Sequence, residues 1–197
     1  MLINKDNIAI EEPAEALKSQ AFSESETAND FEVFTHLQSL QQVVGVITPE
    51  ARNIHFACMV EWSMHDLLEY VLQKTGPAKV YVATWTISEA GARALTNLLA
   101  NGSITELQGL FDFRSSNRHP DAFHLAVQQC AKVRLHPIHA KVTIIINDNW
   151  SICIAGSANY TNKKRIECGV ISINNGVAQQ HLDKWLLAMI EKGEVFN

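Results

Sequence analysis

The stretch His139-Ala-Lys-Val-Thr-Ile-Ile-Ile-Asn-Asp-Asn-Trp-Ser-Ile-Cys-Ile-Ala-Gly-Ser-Ala-Asn159 decides the reading of this chain. Two β-branched apolar runs, roughly Ala140–Ile146 and Trp150–Ala155, flank Asn147-Asp148-Asn149, a trio with turn chemistry, so the segment predicts a hairpin. Side chains two apart on a strand share a face. His139 and Lys141 therefore project together, while Ala140, Val142 and Ile144 take the opposite, buried side. Ser157 and Asn159 repeat that spacing just past the second strand, and Gly156 removes a side chain where backbone is expected to turn close to a bound group. The hairpin could bring both pairs to one end of a sheet.

Working outward, Glu167 to Ile173 predicts another strand and Val177 to Lys192 an amphipathic helix with Leu182, Trp185, Leu186 and Met189 as core positions. Upstream, Lys79 to Thr84 reads as a buried strand, and Thr86-Ile87-Ser88-Glu89 as a capping-box start for a helix to Ala100, stopped at Asn101-Gly102. A strand is expected around Leu107 to Phe113, a helix from Pro120 to Ala131, and a short strand at Val133-Arg134-Leu135. From Ala51 to Gln73, Phe56, Met59, Val60, Leu67, Leu68 and Val71 recur at helical spacing, with Thr75-Gly76-Pro77 as the stop. Strand–helix alternation followed by a hairpin predicts an α/β fold, a mixed β-sheet sandwiched between helices.

With 197 residues, 47% hydrophobic and 19% charged, the chain suits one globular domain. Nothing repeats at a fixed period. The net charge of −5 is unevenly placed: residues 1–32 carry −6 and the remainder +1. Residues 1–32 are accordingly expected to be an acidic mobile arm, helical around Pro13 to Gln20, and residues 33–197 the folded domain. The near-neutral domain implies weak long-range attraction to nucleic acid, with local basic clusters at Lys132, Arg134 and Lys141 and at Lys163-Lys164-Arg165. No apolar stretch has the length of a membrane span, and the start lacks the basic-then-apolar order of a secretory signal; a cytoplasmic protein is expected. Cys58, Cys130, Cys153 and Cys168 are widely spaced among apolar neighbours, as for reduced, buried thiols.

The residue types at the hairpin suit phosphodiester chemistry. A neutral imidazole at His139 can attack phosphorus and divide one hard step into two. Lys141 can neutralise the phosphoryl oxygens, and Ser157 and Asn159 can donate hydrogen bonds to them. Glu167 can accept from the far ring nitrogen of the histidine and set its tautomer. Trp85 and Thr86, at the C-terminal end of a central strand, stand where ligands bind in α/β sheets, and Lys163 follows the motif closely enough to grip substrate phosphate. His119, His124, Cys130, His136 and His139 are crowded, yet their spacings match no structural zinc pattern, so no metal is assigned.

His139-x-Lys141, Gly156-Ser157-x-Asn159 and Glu167 together resemble the motif of the phospholipase D superfamily, H-x-K-x4-D-x6-G-S-x-N. Val80 to Ile87 is similar to the strand and turn before the first crossover helix of that family, and the resemblance runs from about Phe56 to the C-terminus. One position departs: the family aspartate falls on Ile146, and the nearest acid is Asp148, which could take the role in a longer hairpin or simply serve the turn. The resemblance implies metal-independent catalysis without a cofactor. It also implies, because the motif occurs once, a homodimer in which a second copy's His139 protonates the leaving oxygen. Short length and a single motif resemble the nuclease branch, with nucleic acid as substrate and no stable membrane association. A phospholipid hydrolase or phosphatidyl transferase, and a non-catalytic nucleic-acid-binding module with a degenerate pocket, are the alternatives.

Overall fold

The computed structural model describes residues 19–23, 32–34, 40–41, 47–58, 62–162 and 165–193. Its strands are β1 (Ser19–Ser23), β2 (Glu32–Phe34), β3 (Arg52–Cys58), β4 (Ala78–Thr84), β5 (Ile104–Phe111), β6 (Lys132–Leu135), β7 (Val142–Ile146), β8 (Ser151–Gly156) and β9 (Glu167–Ile173). They form one mixed sheet in the order β2-β1-β3-β9-β8-β7-β4-β5-β6. β4, β5 and β6 run parallel and the remaining pairs antiparallel.

The helices are α1 (Met64–Thr75), α2 (Glu89–Ala100), α3 (Phe113–Arg118) and α4 (Pro120–Val127), followed by a C-terminal helix. That last helix runs as α5 (Val177–His181), a π-helical turn (Leu182–Leu186) and α6 (Leu187–Lys192). Helices cover both faces of the sheet. On one face Leu67, Leu68, Leu95 and Phe123 pack on Val80, Val82, Ile145, Ile154 and Ile171; on the other, Leu182, Leu186 and Ile190 pack on Ala83, Leu110, Val142, Ile144 and Cys153. Among the described residues no helix is long and apolar enough to cross a membrane.

The hairpin forms as expected, with Asn147 Oδ1 accepting from the amides of Asn149 and Trp150 and so building the turn. β4, β9 and α2 fall where their patterns put them. α2 starts at Ser88, whose hydroxyl accepts from Gly91 N, so the cap is Ser88 and not Thr86. α4 carries Pro120 in its first turn but stops at Val127.

Three expectations need correction. The helix read from Ala51 to Gln73 is strand β3 followed by α1. Ile54, Phe56 and Cys58 are buried in strict alternation, and α1 begins only at Ser63, where Ser63 and Asp66 form a reciprocal capping box. Met59 and Val60 lie outside the described residues. The strand expected to reach Phe113 ends at Phe111, because the buried Asp112 caps α3 through Arg114 N. Within the segment read as an arm, residues 20–23 pair with β3 and Ser19 pairs with Phe34 of β2, so Ser19 and Gln20 are strand and not helix; most of residues 1–32 lies outside the described residues.

All four cysteines are free thiols. Cys58 and Cys153 are buried and Cys130 half-buried, but Cys168 is exposed, against expectation. Burial pushes the thiols of Cys130 and Cys153 up to about 12.

Candidate active site

β7 lies between β4 and β8, and its register decides which residues share the end of the sheet where the motif begins. Ala83 pairs with Val142 and Val142 with Ala155, which sets Thr84 level with Lys141. Gly156 N donates to Lys141 O at 3.2 Å, and Gly156 pairs with Gly169 on β9. A row of Thr84, Lys141, Gly156 and Gly169 therefore crosses four adjacent strands, with Trp85, His139, Ser157 and Glu167 just beyond or beside it.

Trp85 gathers the charged side chains. The His139 ring is tilted against it at 5.4 Å between centroids, the Lys141 ammonium lies 5.8 Å from the indole centre, and the Arg118 guanidinium lies 4.9 Å from the same point. His139 is exposed, Trp85 half-buried, and Lys141 only 8% exposed. Lys141 Nζ donates to the carbonyl of His139 at 2.6 Å, which ties the His139 backbone to the cation. Burial holds the Lys141 ammonium below its ordinary pKa, with Glu167 pulling the other way.

The loop after β8 comes to this cluster because α2 receives it. Tyr160 O accepts from Ser88 N at 2.8 Å and from Ser88 Oγ at 3.2 Å, and a Cβ on Gly91 would stand closer than 3.0 Å to that oxygen. The Tyr160 ring is fully enclosed and its hydroxyl is bonded to Thr143 Oγ1 at 2.7 Å. Between these anchors, Asn159 Oδ1 accepts from Thr84 Oγ1 at 3.2 Å. That bond occupies the amide oxygen and leaves its N–H donors without a partner among the described residues. Ser157 is exposed; its hydroxyl donates to Glu167 Oε2 and accepts from Cys168 N at 3.0 Å.

The structure thus brings His139, Lys141 and Trp85 together, with Asn159 tied to the same end of the sheet through Thr84 and with Ser157 and Glu167 at the β8–β9 side. Glu167 departs from its expected role: its carboxylate meets Ser157, and among the described residues no hydrogen bond joins it to His139. Gly156 is glycine for a different reason from the one expected. A Cβ there would run into the backbone of β9, at Cys168 O and 2.9 Å from Gly169 Cα, so strand approach and not a bound group requires it. Thr86 is buried; its carbonyl shares the one Thr84 hydroxyl proton with Asn159 Oδ1, and its own hydroxyl has no partner among the described residues, so it backs the turn instead of lining open space. Asp148 is exposed in the hairpin turn, at the opposite end of β7 from His139. Lys163 lies outside the described residues. Among the described residues no three His, Cys, Asp or Glu side chains come together to hold a metal ion.

Two residues of the site had no sequence signal. Arg118 sits in Ser-Ser-Asn-Arg-His, which matches no motif, and reaches Trp85 only through the placement of α3. Asp112 is 3% exposed; one carboxylate oxygen accepts from Arg114 N at 2.9 Å and the other from Ile138 N at 3.1 Å, the residue before His139. Ser115, in the same helix, donates to Trp85 O at 2.9 Å. Helix α3 is in this way bonded both to the turn carrying Trp85 and to the segment carrying His139.

No protein-family model matches this chain, and no curated protein sequence matches it. Among solved structures, the polyphosphate kinase from Porphyromonas gingivalis is similar, with a TM-score of 0.51 at 10% sequence identity over 73% of this chain. The match spans only 26% of that kinase, about a quarter of its length. At that identity the likeness concerns the fold alone, a mixed sheet between helices.

Proposed function

We propose that this domain is a phospholipase D-like, metal-independent phosphodiesterase, an endonuclease whose active site is completed by a second copy of the chain. One observation carries the reading: His139 and Lys141 meet at Trp85, and the loop of residues 156–159 joins the same end of the sheet through Gly156 N to Lys141 O and Thr84 to Asn159. An exposed imidazole beside a buried ammonium and free amide donors suits a tetrahedral, anionic centre.

In this mechanism a ring nitrogen of neutral His139 attacks phosphorus as the bond to the leaving oxygen breaks. That oxygen takes a proton from the imidazolium of the second copy's His139. Water then attacks the phosphohistidine, the P–N bond breaks, and the water's proton returns to the second imidazole. Lys141 neutralises the phosphoryl oxygens in both steps. The Asn159 amide donates to them, with its orientation set by Thr84, and the Ser157–Glu167 pair borders the same centre.

The test is cleavage of single- and double-stranded DNA and RNA by wild type and His139→Ala, each with excess EDTA. Cleavage that survives EDTA and disappears in the variant is expected. Cleavage abolished by EDTA, or retained by His139→Ala, refutes the histidine nucleophile. A stable monomer that turns over diesters refutes the shared site.

A further inference from the structure

Arg118 has the marks of a residue built to meet an anion. It is exposed, it ends a helix capped by the buried Asp112, and its guanidinium rests 4.9 Å from the Trp85 ring centre. No carboxylate among the described residues pairs with it, whereas Arg114 in the same helix faces Asp112 at 3.6 Å. At that distance the guanidinium is within cation–π range of the indole, and with no carboxylate partner among the described residues its N–H groups remain available for bidentate bonding to a phosphate.

Its position relative to His139 says which phosphate. The guanidinium carbon and the imidazole centre lie 4.9 Å and 5.4 Å from one ring centre, so their separation cannot exceed the sum of the two. A scissile diester at His139 already has Lys141 and Asn159 around it, and a simple diester offers no second charge. A nucleic-acid strand does, advancing roughly 3.4 Å of axis per phosphate.

Resting on the phosphodiesterase reading, we infer that Arg118, seated on Trp85, binds a phosphate flanking the scissile one and so selects a polymeric nucleic-acid strand over a simple diester. Trp85 then acts as the platform that holds nucleophile, cation and strand-binding arginine in one frame.

Binding tests this without requiring turnover. A His139→Ala protein is titrated with a labelled single-stranded DNA oligonucleotide, with and without Arg118→Met, which keeps the apolar stem on Trp85. Arg118→Met is expected to weaken binding about ten-fold and to lower the salt slope by about one counterion. A series of strands carrying one neutral methylphosphonate linkage each then locates the contact: at one position beside the scissile linkage the Arg118→Met penalty disappears. Arg118→Lys, which keeps the charge, recovers part of the affinity. A penalty that persists on every strand, no penalty on any, or no binding of the strand by the protein overturns the inference. Failure of wild type to cleave the all-phosphate strand would instead count against the phosphodiesterase reading, and is seen separately.

Discussion

Replacing Gly91 with alanine sets two effects of opposite sign against each other. Alanine is favoured over glycine in a helix interior by about 0.8–1.0 kcal/mol, less in a first turn, and Gly91 lies in the first turn of α2. Propensity alone predicts a slightly more stable protein. The new Cβ, however, would fall closer than 3.0 Å to Tyr160 O and 3.1 Å from Tyr160 C, and backbone cannot rotate away as a side chain can. Relief requires the loop to move several tenths of an ångström, against a ring that is fully enclosed and bonded to Thr143. Overpacking of this kind costs about 1–3 kcal/mol, and displacement weakens the bonds from Ser88 N and Ser88 Oγ, worth about 0.5–1.5 kcal/mol each. Sterics therefore win, with a net loss of about 1–2 kcal/mol. At about 2–4 °C per kcal/mol for a chain of this size, Tm should fall by roughly 2–8 °C. Thermal and urea unfolding of Gly91→Ala measure it. The same movement draws Asn159 from Thr84, so kcat should fall more than KM rises. A Tm equal to or above that of wild type would refute the docking of the motif loop on α2.

Lys141→Met should abolish turnover while leaving the protein at least as stable as wild type at neutral pH. Burial lowers the Lys141 pKa from the ordinary 10.5, so the folded state binds its proton less tightly than the unfolded state. The resulting penalty is present at neutral pH and fades as pH rises through the lowered pKa toward 10.5. Wild type should accordingly gain on the variant in that alkaline window, and a variant less stable than wild type at neutral pH contradicts this. Tyr160→Phe leaves the buried Thr143 hydroxyl without its partner and should cost about 1–3 kcal/mol by urea unfolding; an unchanged midpoint would show that the bond contributes nothing. Asp112→Ala strands the amides of Arg114 and Ile138 and should cost about 2–4 kcal/mol. It should also slow cleavage, and a loss below about 1 kcal/mol would show that water replaces the carboxylate.

Much of the local structure was legible because its signals were unambiguous. The hairpin had turn chemistry between two β-branched runs, β9 the β-branched Val170, Ile171 and Ile173, and α4 its Pro120. The region from Ala51 to Gln73 was misread because Phe56 and its apolar neighbours satisfy both periods over so short a run. The Ser63–Asp66 capping box that marks the true helix start is local, and could have settled the matter. Gly156 was located correctly but for another reason, since the backbone it must clear is that of Cys168 and Gly169 in β9, the neighbouring strand in space but twelve and thirteen residues on in sequence. Glu167 shows the limit on side chains: its position in a motif says nothing of whether Ser157 or His139 reaches it first.

Periodicity and turn chemistry are short-range properties, so the sequence alone determined the hairpin, the most prominent strands and helices, and the shared face of His139 and Lys141. Sheet order is a long-range property, settled by which apolar faces pack together. Only the tertiary structure could decide that β4 lies beside β7, which puts Trp85 and Thr84 against the motif. Only it could place α3, through a buried Asp112, so that Arg118 shares one indole ring with His139.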